Sequence, residues 1–188
     1  MKIYLAGSHS SGKTTLARYI SKTYKLPLLT EVARSVLSER ELNLKTLRTD
    51  IHLADDFQET IFFRQIKEED KILESNKSFV SDRSIDCLAY TANHARILNT
   101  IKESKEYKDY INRLKEKDSI LFFVRPSKET LAQDGVREDL NWEGVLTIDA
   151  MIKCLFEFEG LNYIHINTSN MQERIMTVDT IIQKLIYG

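Results

Sequence analysis

Only two cysteines, two prolines and six glycines occur among 188 residues, and the charges nearly cancel, with 27 Lys plus Arg against 28 Asp plus Glu. Two cysteines are too few for a disulfide framework, so Cys87 and Cys154 are expected as buried thiols in a reducing cytoplasm. Pro27 and Pro126 are the only prolines, and no Gly/Ser-rich tract or repeat divides the chain. One domain spanning 1–188 is therefore expected. The formal net charge of −1 lacks the basic footprint of a general nucleic-acid binder. That disfavours nucleic acid as a partner without removing it, and small charged ligands fit better. No apolar run approaches the roughly 18–20 residues of a membrane span. The apolar residues 2–6 give way at Gly7 to polar Ser and His instead of extending into a secretory signal. A soluble cytoplasmic chain with no membrane partner is expected, and a homodimer is compatible with the sequence.

Short apolar runs read as buried strands at Ile3–Ala6, Leu26–Leu29, Phe79–Ser81, Ile120–Val124 and Tyr163–Ile166. Between them, helical spacing covers Thr14–Thr23, Asp50–Leu73, Ile85–Ala95, Lys102–Glu116, Val145–Phe158 and Gln172–Ile186. In the fifth of these helices Val145, Ile148, Ile152, Leu155 and Phe156 share one face. Such alternation of strand and helix predicts an α/β fold with a parallel sheet. The irregular stretch at about 125–141, after the fourth strand, has the length of a lid.

The residues Gly7, Ser8, His9, Ser10, Ser11, Gly12, Lys13 and Thr14 match G-x-x-x-x-G-K-[ST] between an apolar strand and an amphipathic helix, where the chemistry requires it. The glycines let backbone N–H groups curl around phosphates, and the helix presents the positive end of its dipole to them. Lys13 is then expected to neutralise β/γ oxygens of ATP, Thr14 to hold Mg2+ with its hydroxyl, and Thr15 to reach an α-phosphate oxygen. The bland reading, a chance glycine turn, leaves the flanking strand and helix unexplained.

Asp82, in Ser81-Asp82-Arg83-Ser84, closes the third strand at the edge where ligands of parallel sheets bind, and from there an acid can reach the metal. Its plainer role would be to cap the following helix, with Arg83 as a surface partner. Glu31 and Arg34 follow the second strand. Glu31 can take a proton from an attacking hydroxyl or grip a ribose, and Arg34 can pair with an acceptor phosphate or with Glu31. Stabilising a first helical turn is the alternative for Glu31.

On the long fourth-segment helix, Gln58 and Arg64 stand about 240° apart, so only Gln58 and Gln65 share a face. Phe57, Ile61 and Ile66 read as core, and the charge run Lys67–Lys71 as a solvated face. Arg125 and Arg137, both on the lid-like stretch, could close on a phosphoryl group in transit or form ordinary surface ion pairs. His9, His52, His94 and His165 have no metal-ligand spacing and are read as incidental. Trp142 either packs the base of the lid or covers the sheet.

Taken in order, the P-loop at 7–15, Glu31-Val32-Ala33-Arg34, Asp134-Gly135-Val136-Arg137 and Glu173-Arg174 resemble the ribosylnicotinamide-kinase domain of bacterial NAD regulators and the AAA-type ATPase/kinase proteins grouped with it. These landmarks span nearly the whole chain. The resemblance implies a P-loop kinase sheet of five parallel strands in the order 2-3-1-4-5, with a lid after strand four. Phe57-Gln58, Arg64 and Asp82-Arg83-Ser84 are in addition similar to deoxynucleoside and thymidylate kinases. By that similarity Gln58 reads a base, Arg83 meets acceptor or phosphoryl oxygens, and Glu31 serves the acceptor hydroxyl. The implied activity is ATP- and Mg2+-dependent phosphorylation of a nucleoside or nucleoside monophosphate, with Lys13, Glu31, Asp82, Arg83 and Arg137 as catalytic residues and Arg34, Gln58 and Arg64 on the acceptor.

Two other classes compete. A nucleotide-binding switch would carry an Asn-Lys-x-Asp guanine signature and an Asp-x-x-Gly after strand three, and here strand three ends Asp82-Arg83. A kinase for nucleic-acid ends or modified bases would want a basic groove, which the near-neutral balance supports only weakly.

Overall fold

A computed structural model of the chain describes residues 1–30, 32–40, 44–94, 96–129 and 141–187. Five strands are found: β1 (Lys2–Ala6), β2 (Leu28–Leu29), β3 (Phe79–Ser81), β4 (Ser119–Val124) and β5 (Ile164–Ile166). They form one parallel sheet in the expected order β2-β3-β1-β4-β5. After Lys2, central β1 buries every side chain from Ile3 to Ala6, because helices cover both its faces. Tyr4 and Ala6 point into one core layer, and Ile3 and Leu5 into the other.

β2 is shorter than the apolar run Leu26–Leu29 suggests. Its first two residues are committed elsewhere: the Leu26 N–H closes the end of α1 (Lys13–Tyr24) on Ser21 O, and Pro27 has no N–H to give. Past β2 come two helices that periodicity did not reveal, α2 (Val32–Glu39) and α3 (Leu44–Thr49). Both are short, and α2 is held through Val32 and Val36 rather than by a long amphipathic stripe.

The long helix α4 (Ile51–Ser75) starts where Asp50 accepts the N–H groups of His52 and Leu53 at 3.0 and 3.1 Å. α5 (Cys87–His94) begins later than expected, too far along for Asp82 to cap it. The single helix expected over Lys102–Glu116 is broken at Ser104 into α6 (Leu98–Glu103) and α7 (Lys105–Leu114). Ser104 ends one helix in an extended conformation and caps the next, its Oγ accepting the Tyr107 N–H at 3.1 Å. α8 (Trp142–Phe158) buries Val145, Ile148, Ile152, Leu155 and Phe156 as its spacing predicts. α9 (Met171–Tyr187) lies against α1, where the hydroxyls of Tyr19 and Tyr24 both donate to Asp179, at 2.7 and 2.8 Å.

Two further expectations need correction. Cys87 is buried, with its thiol pushed up to about 12 by desolvation, but Cys154 is exposed on the outer side of α8. The charge run Lys67–Lys71 is not wholly solvated either, because Glu69 is completely buried. Helical geometry turns it inward with Phe62 and Gln65, and polar partners meet it there. It accepts from Gln65 Nε2 at 2.6 Å and Tyr110 OH at 2.9 Å, with Arg113 at 3.3 Å.

Burial raises the Glu69 pKa to about 7, against the opposing pull of Gln65, Tyr110 and Arg113. Its folded-state pKa thus lies above the unfolded one. Its favourable contribution is complete below the unfolded pKa and is lost as pH rises through about 7. Glu69→Gln keeps the shape and removes the titration, so its stability relative to wild type should improve by about 2 kcal/mol between pH 5 and pH 8. Denaturant melts across that range check this, and a pH-independent difference would contradict it.

Candidate active site

At the carboxyl end of β1 the chain must turn sharply against β4. A Cβ at Gly7 would lie 2.3 Å from Val124 O and 3.0 Å from Ser11 Oγ, so only hydrogen fits. The loop then passes through left-handed conformations at Ser10 and Gly12, which turn successive peptide groups. Gly12 is the N-cap of α1 and brings no side chain to its first amides. A helix start without a side-chain cap is suited to meeting an anion. Lys13 folds back over the loop, its Nζ donating to Gly7 O at 2.8 Å and Ser8 O at 2.7 Å. Ser8 and Ser11 are buried inside the turn, and Thr15 is exposed on the first turn of α1.

β3, next to β1, delivers the acid. Asp82 is mostly buried, anchored by its N–H to Leu29 O at 3.1 Å, and its Oδ2 accepts the Thr14 hydroxyl at 2.6 Å. Two hard oxygens are therefore adjacent at the mouth of the loop, a donor set suited to Mg2+.

The next turn and α5 add two residues that the sequence reading passed over. Asp86 is buried and accepts the Ser84 N–H at 2.7 Å through Oδ1 and the Gly7 N–H at 3.4 Å through Oδ2. Burial works against the charge of Arg83, but Asp86 first, then Cys87 and Asp82, hold its pKa above the ordinary range. Tyr90, on α5, accepts the His9 N–H at 3.2 Å, and its ring meets the His9 ring at a tilt, with a centroid distance of 4.5 Å. His9 is thus part of the loop's support. Asp86 stands two residues beyond the Asp-Arg-Ser signature, and its approach to Gly7 is set by the sheet order, which no local pattern records.

On the other flank, Arg125 follows β4 directly and pairs with buried Asp149 of α8, Nη2 to Oδ2 at 2.5 Å. Desolvation raises the Asp149 pKa, opposed by Arg125, His165 and Lys13, so this acid lies within electrostatic reach of the loop lysine. Trp142 opens α8, with Lys128 Nζ 5.9 Å from its ring centre.

The acceptor residues are less concentrated. Arg34 is exposed on α2, and Gln58 is half-buried on α4. Arg64 pairs with Glu39 at 2.5 Å on a groove of about 770 Å³ between α2 and α4, lined also by Leu29, Thr30, Phe63 and Lys67. None of the groove's lining residues belongs to the P-loop. Glu31 and Arg137, together with most of the lid-like stretch, lie outside the described residues.

A strand, a glycine-bounded loop with Lys-Thr at a helix start, and an acid on the adjacent strand define a P-loop protein with the sheet order of the P-loop kinases. A family model described as an AAA domain matches residues 2–174, and the chain belongs to that family. No curated protein shows significant sequence similarity to it. Among solved structures, the fold is similar to deoxyadenosine kinase from M. mycoides with products dCMP and dCDP (TM-score 0.67, 14% identity, 98% of this chain and 100% of that one). It is also similar to NadR protein in complex with NR, with TM-score 0.74 and 16% identity over 97% of this chain, which spans only 50% of the NadR chain. Shikimate kinase from Acinetobacter baumannii with shikimate follows at TM-score 0.54 and 11% identity, with 98% and 92% covered. Among the described residues no helix is long and apolar enough to cross a membrane.

Because Gly7 is pressed on Val124 O, Gly7→Ala should part β1 from β4 and cost about 2 kcal/mol or more. Gly160→Ala is the control, with φ of +61° and nothing within 4 Å of its Cβ, and should cost about 1 kcal/mol from backbone strain alone. Chemical denaturation of both variants tests the ranking, and a Gly7→Ala protein as stable as Gly160→Ala would refute the close contact.

Proposed function

We propose that the chain is an ATP- and Mg2+-dependent phosphotransferase whose acceptor is a nucleoside or a nucleoside monophosphate. The observation that carries this reading is the Thr14 hydroxyl bonded to Asp82 beside a phosphate loop, with Arg83 next in the chain. Thr14 and Asp82 would hold the metal, which supplies charge neutralisation at the phosphate oxygens. Lys13 leaves the carbonyls of Gly7 and Ser8 and transfers its bonds to the phosphates of the donor. The amides of the loop orient the same group for in-line attack.

On the acceptor side, Glu31, two residues after β2 in sequence, takes the proton from the attacking hydroxyl, and Arg83 meets phosphoryl or acceptor oxygens. Gln58 is the candidate reader of the base, and Arg34 of an acceptor phosphate. Arg64, which pairs with Glu39 on the groove that Thr30 and Val32 also line, is a further candidate for contact with the acceptor. Arg137 stabilises charge as it spreads over the oxygens in transit.

A panel of nucleosides and nucleoside monophosphates offered with ATP and Mg2+ should show acceptor-dependent ADP release with at least one of them. Lys13→Ala should abolish it, and Glu31→Gln should slow it roughly 100-fold while ATP affinity holds. ATP hydrolysis indifferent to every acceptor would remove the kinase reading.

Arg137→Ala should lower kcat far more than it weakens ATP binding, because the charge that it meets develops only in the transition state. Arg137→Lys should recover part of the loss, since it keeps the charge but not the bidentate fork. Equal losses in kcat and ATP affinity would show uniform binding instead.

A further inference from the structure

Arg174, on the first turn of α9, is fully buried. Its guanidinium is divided among backbone carbonyls of three segments. Nε donates to Thr168 O at 2.7 Å in the loop after β5, Nη2 to Arg125 O at 3.2 Å at the end of β4, and Nη1 to Ser11 O inside the phosphate loop. Among the described residues no carboxylate pairs with it. Neighbouring Glu173 is engaged with the Thr168 hydroxyl instead.

Burying a cation without a counter-ion is costly, and carbonyl dipoles solvate its charge without cancelling it. Desolvation pulls the Arg174 pKa down, yet a guanidinium stays protonated in proteins. A full positive charge is therefore fixed directly behind the loop. The contact also dictates geometry. The C=O and N–H of one trans peptide point in opposite directions, so drawing Ser11 O toward Arg174 turns the Gly12 N–H away from it, to the inner side of the loop. Gly12 is fitted to this neighbour as well, because a Cβ there would stand 2.9 Å from Arg174 Nη1. Lys13 covers the loop's carbonyls at Gly7 and Ser8, and Arg174 holds the one at Ser11.

We infer that Arg174 is a positioning residue for the polyphosphate of a nucleoside triphosphate: it fixes the Ser11–Gly12 peptide plane and gives the loop a positive charge with which no carboxylate among the described residues pairs. The inference rests on the donor half of the reading above and is independent of the acceptor.

The test measures binding of ATP, ADP, AMP and inorganic tripolyphosphate by calorimetry at low and high salt, alongside ligand-free thermal melts. The proteins are wild type, Arg174→Met, Arg174→Lys and Lys13→Ala. Arg174→Met should weaken ATP and tripolyphosphate at least about tenfold, AMP distinctly less, and should flatten the salt dependence of ATP binding. Arg174→Lys, which keeps the charge but cannot span three carbonyls, should regain part of the ATP affinity. Equal losses for AMP, ADP and ATP that ignore salt and follow the melting temperature would make Arg174 a structural support only, overturning the inference.

Loss of ATP binding in Lys13→Ala, with Arg174→Met within twofold of wild type, would likewise overturn it while leaving the donor reading intact. A wild-type protein that binds neither ATP nor tripolyphosphate would take both down. If Arg174→Met does not fold, Arg174→Lys decides. An ATP Kd raised severalfold with a smaller rise for AMP upholds the assignment, and wild-type values for all three ligands overturn it.

Discussion

Backbone N–H groups turned toward a common centre repel one another, and a peptide does not hold that shape unaided. The loop from Gly7 to Lys13 therefore depends on its surroundings. Val124 O leaves room at Gly7 for nothing but hydrogen, Asp86 takes the Gly7 N–H, and Tyr90 takes that of His9. Arg174 draws Ser11 O from behind. These supports come from β4, the turn after β3, α5 and α9, so the strand order on either side of β1 brings distant residues to one short loop.

α9 shows how packing and site are coupled. Val178 and Ile182 join the core beneath α1, Asp179 receives the hydroxyls of Tyr19 and Tyr24, and Arg174 reaches the loop from the same helix. Both tyrosine hydroxyls are held protonated above their ordinary pKa, Tyr19 by its bond to Asp179 and Tyr24 chiefly by desolvation. The spacing of α9 from α1 thus sets where the guanidinium arrives. A disturbance at this helical interface would be felt at the loop without any change to the loop's own sequence.

The parallel sheet and its phosphate loop were legible because their signals are local: unbroken apolar runs, and glycines with Lys-Thr at fixed spacing between strand and helix. What escaped depends on tertiary context. The break at Ser104 needed the knowledge that one serine would cap rather than continue a helix, and α2 and α3 are too short to announce themselves by periodicity. Glu69 looked solvated within a charge run until Tyr110 and Arg113 of α7 were placed over it. Within the site, Asp82 could be anticipated from the end of its strand, but Asp86, Tyr90 and Asp149 belong to it only through the fold. Arg174 was visible as a landmark whose partners were not. Arg64 met its nearest acid on α2, a helix that the sequence had not disclosed.

Lys128 and Trp142 lie side by side, the ammonium 5.9 Å from the indole centre, one just before and one just after the stretch 130–140. The carboxyl end of β4 and the start of α8 are thus joined twice, by this pair and by Arg125 with Asp149, so a shift of α8 along its axis would have to drag the chain after β4 with it. Strand and helix there behave as one lever, and a strain applied to either is passed to the other.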